Sequence, residues 1–180
     1  DIIEALSMLS PETFLMGCGL QTIDEHVNNQ HLNRRFHRER YIRNLRLLEA
    51  RLGKNIMVEI ICGLPGETYA GFKRTVEFLL SEVKQSMFAC SRFRVLPASY
   101  FWDHAGDYNL VYQKDPPHFL LFSDTFSKED MDKANRLVFF IHLFFTILKG
   151  VKRMVEKNVF NNQLSVYEKI IDHISSRYPE

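Results

Sequence analysis

The sequence has little of three features that would point to a membrane, nucleic-acid or metal-binding protein: long apolar runs, charge of one sign, and closely spaced cysteines. Its longest apolar run, residues 137–148, covers 12 residues and includes a histidine, well short of the roughly 20 residues that cross a bilayer. The formal net charge is +1, from 23 basic and 22 acidic residues. We therefore expect no transmembrane segment and no obligatory nucleic-acid or membrane-surface partner.

The scarcity and placement of cysteine argue against a metal site or a disulfide framework. The three cysteines, Cys18, Cys62 and Cys90, are 44 and 28 residues apart, and each lies within an apolar run. This spacing fits no metal-ligand motif, and an odd number of cysteines in apolar segments is typical of reduced, buried thiols. The composition therefore predicts a cytoplasmic protein whose cysteines belong to the core.

The stretch around which the chain is organised is NIMVEIICGLPGET, residues 55–68. An apolar run with a single carboxylate, Glu59, is followed by a glycine-proline turn, as in the strand–turn–helix unit of α/β domains. Burying a carboxylate in such a strand is unfavourable unless it has a partner, and ligands collect where parallel strands end. We therefore interpret Glu59 as a ligand-binding residue.

Apolar periodicity extends this unit to an α/β fold with three strands. Strands are predicted over residues 13–21, 55–62 and 87–96, and helices over residues 1–9, 25–33, 38–52, 67–83, 127–149 and 164–176. Crossover helices between successive strands indicate a right-handed parallel sheet, and near-continuous apolar character indicates that the middle strand is covered on both faces. Three such units amount to half of a β/α barrel.

The predicted organisation has three parts. Residues 1–104 form a partial (half) β/α barrel, residues 105–126 an irregular connector or lid, and residues 127–180 a mostly α-helical C-terminal extension. The first nine residues look like the end of a helix already under way, so we interpret the chain as a piece of a longer polypeptide.

The two outer strands carry further candidate site residues. In strand 13–21, one face presents Gly17, Gly19 and Gln21, and two glycines in a strand indicate the close approach of another group. In strand 87–96, Arg92 and Arg94 share a face, where they either bind an anionic group or form an exposed edge.

Three motifs follow one another along the chain: GLQTIDEHVNNQHLNRRF at residues 19–36, VEIICGLPGET at 58–68, and FRVLPASYF at 93–101. Their combination resembles the radical SAM superfamily, in particular the B12-binding-domain-containing radical SAM proteins. The resemblance covers most of residues 9–148. It implies a partial β/α barrel that binds S-adenosylmethionine and cleaves it to a 5′-deoxyadenosyl radical.

The resemblance also implies roles for particular residues. Gln21 and Glu59 would hydrogen-bond the ribose hydroxyls of S-adenosylmethionine, and Arg34 would pair with its methionine carboxylate. The spacing between Gln21 and Arg34 is one residue longer than in the family, which leaves Arg35 as the alternative to Arg34.

The same comparison assigns the adenine contacts. Ile61 and the backbone of Leu96 and Pro97 would bracket the base. Ala98 stands where the family's turn has a glycine, so the conformation of this turn is a point for the structure to decide.

The CxxxCxxC motif that holds the family's [4Fe–4S] cluster is absent from these 180 residues. The resemblance therefore implies that the cluster belongs to a missing N-terminal half of the same polypeptide, with cobalamin as a further candidate cofactor. This chain would contribute S-adenosylmethionine contacts without turnover of its own, and Arg92 and Arg94 would contact a small-molecule or peptide substrate. The alternative is a non-catalytic α/β interaction domain that keeps the scaffold.

Overall fold

The structure, a computed structural model, describes residues 2–9, 14–84, 86–145 and 162–177. Its centre is a three-stranded parallel sheet in the order β1 (Met16–Gln21), β2 (Ile56–Cys62) and β3 (Met87–Arg92). Cys18 pairs with Val58 in one ladder, and Glu59 pairs with Ala89 in the other. The α/β fold with a parallel sheet is therefore confirmed.

Helices make both connections between the parallel strands. A short π-helix, Val27–His31, and α2 (Arg38–Leu52) lie between β1 and β2, and α3 (Tyr69–Glu82) lies between β2 and β3. Helix α3 begins at a conventional cap, because the Thr68 hydroxyl accepts a hydrogen bond from the Gly71 N–H at 3.1 Å.

The remaining elements flank this sheet. They are the helices α1 (Ile2–Ser7), α4 (Tyr100–Asp103), α5 (Lys128–Phe145) and α6 (Gln163–Arg177), the 3-10 turns Gly53–Asn55 and Ala105–Tyr108, and the antiparallel strands β4 (Val111–Tyr112) and β5 (Leu120–Phe122). The connector thus contains short elements that its composition does not indicate. The predicted helix end at residues 146–149 lies outside the described residues.

Strand β3 is shorter than predicted. It ends at Arg92, and the following backbone turns away from the sheet edge so that Arg94 forms an antiparallel bridge with Phe119 of the connector. The predicted C-terminal bound at residue 96 is therefore wrong, because apolar residues continue beyond the point where the ladder stops.

The two faces of β2 differ in burial. Ile56, Val58, Ile60 and Cys62 are buried, whereas Met57, Glu59 and Ile61 alternate with them and are half-buried. The buried face packs with α3 and α5 in one apolar cluster that includes Phe72, Val76, Leu79, Met131 and Leu137. The other face is covered less completely than the continuous apolar run predicts, and it is the face that carries Glu59.

None of the helices in the described ranges combines the length and apolar character needed to cross a membrane.

The turn after β2 requires glycine at residue 66. Gly66 has φ +80°, and a Cβ at this position would overlap the His31 imidazole ring. We expect Gly66→Ala to lower the free energy of unfolding by about 2 kcal/mol, since left-handed backbone alone costs roughly 1–2 kcal/mol for a residue with a Cβ. Urea denaturation followed by circular dichroism measures the change.

Gly106→Ala is the matched control. A Cβ at Gly106 has no other atom within 4 Å, so its substitution should change the unfolding free energy little. Equal changes in the two variants would contradict the role assigned to the turn.

Candidate functional site

The half-buried face of the sheet brings together side chains from β1 and β2. Glu59 is the ladder partner of Gly19, and its carboxylate lies over Gly17, since a Cβ at Gly17 would be 3.4 Å from Glu59 Oε1. Without side chains, these two glycines leave the space that the carboxylate and any ligand occupy.

Gln21 turns back over the same glycine pair. Its backbone is left-handed, with φ +67°, and the β1–β2 register shifts between Gly19 and Gln21. A Cβ at Gly19 would lie 2.7 Å from Gln21 Nε2. The bulge thereby aims an amide side chain at the centre of the site, as bulges beside binding sites commonly do.

Arg34 completes the group. Its Nη2 donates a hydrogen bond to the Gly19 carbonyl oxygen at 3.0 Å, and its Nη1 would be 3.7 Å from a Cβ at Gly19. The structure therefore places Gln21, Arg34 and Glu59 around Gly17 and Gly19. Arg35, the alternative to Arg34, lines an adjoining cavity with His37 and Arg40, and Arg34 is also part of the wall of that cavity.

The acceptors of this group have no hydrogen-bond partner among the described residues. Gln21 Oε1 is buried and has no hydrogen-bond partner among the described residues, and no hydrogen bond or ion pair to the Glu59 carboxylate occurs within the same ranges. Buried polar atoms are nearly always satisfied in folded proteins. An unpaired amide oxygen beside an unpaired carboxylate is a natural place for hydroxyl groups of a ligand.

The residues predicted to contact adenine lie in two separate parts of the structure. Ile61 is half-buried on the Glu59 face, two residues further along β2 and opposite Ser91. Leu96 and Pro97 are exposed, in a turn after β3 in which the Ser99 N–H donates to the Leu96 carbonyl at 3.1 Å. Ala98 has φ +62°, so the turn keeps the conformation that glycine favours.

Arg92 lies away from this group. It is the ladder partner of Cys62, on the face opposite Glu59, and its Nε donates to the Leu120 carbonyl at 3.1 Å while the guanidinium lies 5.5 Å from the centre of the Phe119 ring. These contacts attach the connector to the sheet. Arg94 is exposed beside Phe119, and the predicted substrate role of both arginines stays a prediction.

The cysteines are free thiols, as their spacing predicts. Burial raises the pKa of Cys62 well above its usual value and that of Cys90 to about 12, so both remain protonated at neutral pH. Within the described ranges, no group of three or more His, Cys, Asp or Glu side chains could hold a metal ion.

Sequence reasoning missed Glu67, which looks like an ordinary first residue of the predicted helix 67–83 but lies before the Thr68 cap of α3 and is 1% exposed. The Thr22 hydroxyl donates to its Oε1 at 2.6 Å, while Oε2 has no partner among the described residues. Burial is the main cause that raises the pKa of Glu67 to about 8. Thr22 is 45 residues away in sequence, so no local signal shows the pairing.

The chain matches no protein-family model and no curated protein. The functional proposal below therefore depends on the side chains that meet over Gly17 and Gly19 and on the motif resemblance.

Proposed function

We propose that this chain is the S-adenosylmethionine-binding part of a radical SAM-type protein, and that the nucleoside binds on the half-buried face of the sheet. The observation that carries the proposal is the pair of unpartnered acceptors, Gln21 Oε1 and the Glu59 carboxylate, which flank two glycines beside the Arg34 guanidinium. Three separate segments of the chain supply these groups, so their meeting does not follow from local structure.

The chemistry of the three side chains suits this ligand. A carboxylate accepts hydrogen bonds from two hydroxyl groups, as a ribose diol requires, and an amide side chain adds one acceptor group and one donor group. Arg34 retains N–H groups beyond the one that bonds to the Gly19 carbonyl, and guanidinium binds a carboxylate in a charge-assisted pair. Ile61 supplies apolar surface for a base on the same face.

S-adenosylmethionine, when bound beside a reduced [4Fe–4S] cluster, supplies a 5′-deoxyadenosyl radical. The residues of this chain do not fit the cluster. Iron–sulfur clusters are held by several cysteine thiolates, whereas within the described ranges no group of three or more His, Cys, Asp or Glu side chains could hold a metal ion. The cluster, and cobalamin if the protein uses it, would belong to a missing N-terminal half.

The exposed apolar residues of the sheet support the half-barrel interpretation of the fold. Among the described strands, β1 and β3 each have one unpaired edge, and Leu15 and Met87 beside these edges are 48% and 47% exposed. Further strands of a barrel would pair with such an edge and cover the Glu59 face. Residues 1–104 would then be the second half of the barrel and residues 127–180 its helical extension.

Binding of S-adenosylmethionine to the full 180-residue chain, measured by isothermal titration calorimetry, tests the proposal. Glu59→Gln and Gln21→Leu should each weaken binding by about tenfold or more, since a hydrogen bond to a charged or buried group contributes about 1.5–3 kcal/mol. Glu129→Gln, on the exposed side of α5, is the matched control and should change the affinity by less than about twofold. Equal affinities for all variants, or no binding, would reject the site.

A second prediction separates the site from fold stability. In Gly19→Ala, the new Cβ would lie 2.7 Å from Gln21 Nε2, the mobile end of a side chain, so the amide must move while the backbone stays in place. We expect the unfolding free energy to change by less than about 1 kcal/mol and S-adenosylmethionine affinity to fall by about tenfold. A variant that binds normally would show that the amide position is unimportant.

The interaction-domain alternative is favoured by one observation, the exposure of apolar side chains on α5 and on the sheet. Phe139 is 61% exposed, and Met87 is 47% exposed. A scaffold that only docks a partner has no need of an aligned Gln21, Arg34 and Glu59. Absence of S-adenosylmethionine binding together with concentration-dependent self-association would favour this alternative.

A further inference from the structure

A basic cavity of about 180 Å³ opens beside the end of β1, against the start of α2. Its wall includes Arg34, Arg35, His37 and Arg40, and no carboxylate lines it. It adjoins the proposed nucleoside site at Arg34 but extends away from Glu59 along α2.

The positive charges of this cavity have no carboxylate partner in the part of the chain that the structure describes. Among the described residues, Arg35 and Arg40 form no ion pair, whereas Arg46, on the same helix as Arg40, bonds to Glu49 and Glu82. Guanidinium groups gathered around one cavity repel each other unless an anion lies between them. The positive end of the α2 dipole adds to the same field, because α2 begins at Arg38.

Uncharged polar residues line the cavity as well. The Tyr41 hydroxyl is buried and has no hydrogen-bond partner in the described part of the chain. Burial raises the pKa of Tyr41 far above its usual value, so the hydroxyl stays protonated and can donate. Asn44 is a further wall residue, with an amide group that suits an oxygen-rich ligand.

We propose that this cavity binds the phosphate group of a small-molecule ligand. Three guanidinium groups present paired N–H donors that match phosphate oxygens, and three fixed positive charges suit a dianion better than the single charge of a carboxylate. This inference goes beyond the proposed function: it shares Arg34 with the proposed nucleoside site, but it is tested through Arg35 and Arg40, which have no part in the Glu59 group.

The test titrates the full chain with inorganic phosphate, by calorimetry in a buffer without other multivalent anions. We expect saturable binding that the double variant Arg35→Gln with Arg40→Gln weakens by about tenfold or more. The matched control is Arg43→Gln with Arg51→Gln, which removes the same charge from exposed positions of α2 outside the cavity. It should weaken binding by less than about twofold.

Phenyl phosphate and S-adenosylmethionine complete the experiment. A monoester that binds more tightly than inorganic phosphate would support a phosphorylated small molecule as the ligand, and equal affinities would support free phosphate. Equal weakening by both arginine pairs, or no phosphate binding, would overturn the proposal. So would loss of S-adenosylmethionine binding in Arg35→Gln with Arg40→Gln together with competition by phosphate, since the arginines would then serve the methionine carboxylate.

Discussion

Glu67→Gln should make the protein more stable at pH 8–9 and change its stability little at pH 4. Glu67 is 1% exposed, and burial raises its pKa from 4.5 in an ordinary environment to about 8 in the folded chain. The amide of glutamine cannot ionise and keeps the oxygen that accepts the Thr22 hydroxyl. Substitution therefore removes the unfavourable burial of a charge.

The sign of this effect follows from proton binding. Between pH 4.5 and about 8, the folded state holds the Glu67 proton and the unfolded state does not, so the free energy of unfolding falls as pH rises. Each pH unit in this window corresponds to about 1.4 kcal/mol, which gives a total near 4–5 kcal/mol. Asp24 contributes to the raised pKa, while Thr22, the Leu64 backbone and Arg74 oppose it.

Urea denaturation of the native chain and of Glu67→Gln from pH 4 to pH 9 measures the difference. The difference in unfolding free energy between the two proteins should increase from pH 4.5 to about pH 8 and then stay nearly constant. Glu129→Gln, at an exposed position, should leave the shape of the pH profile nearly unchanged. Parallel curves for the native chain and Glu67→Gln would show that the carboxyl ionises without cost in the folded state.

Glu49→Ala should lower the free energy of unfolding by about 3–5 kcal/mol, because it leaves several buried hydrogen-bond donors without an acceptor, at about 1–3 kcal/mol each. Glu49 is 3% exposed. Its Oε1 accepts from the Lys84 N–H at 2.9 Å and from the Ser86 N–H and hydroxyl at 3.1 and 2.9 Å, and its Oε2 lies 3.1 Å from Arg46 Nη1. One carboxylate thus ties α2 to the connection between α3 and β3, and alanine would leave several buried donors unpaired.

Glu82→Ala provides the comparison for this prediction. Glu82 bonds to Arg46 Nη2 at 2.7 Å, but its side chain is 25% exposed, so water can replace the contact. We expect a loss of about 1 kcal/mol or less. Thermal and urea unfolding of both variants measure the contrast, and similar losses would mean that Glu49 acts through one ion pair alone.

The parts of the fold that depend on local patterns were predictable from the sequence. The apolar run over Ile56–Cys62 and the turn after it predict a strand, a turn and a helix, because apolar periodicity and turn residues act within a few residues. Glu49 had a readable signal as well. It falls four residues after Leu45 and three before Leu52, both of which are buried. Helical periodicity through residues 45, 49 and 52 therefore places this carboxylate on the buried face of α2.

Features that depend on contacts between distant segments were not predictable. The end of β3 at Arg92 depends on the later bridge between Arg94 and Phe119, and the burial of Glu67 depends on Thr22. The face alternation of β1 did place Gly17, Gly19 and Gln21 together. It did not show the bulge that turns the Gln21 amide over Gly19, because a register shift is decided by the partner strand.

The position of the candidate site on the sheet affects the order in which the fold comes apart. Among the described strands, β2 alone has a neighbour on each side, while β1 is held by a single ladder. Local opening separates weakly held units first, so β1, like the other edge strand β3, should detach before the central strand β2. A ligand that bonds to both Gln21 and Glu59 would hold the edge strand β1 against the central strand β2. Ligand binding should therefore raise the free energy of this partial unfolding.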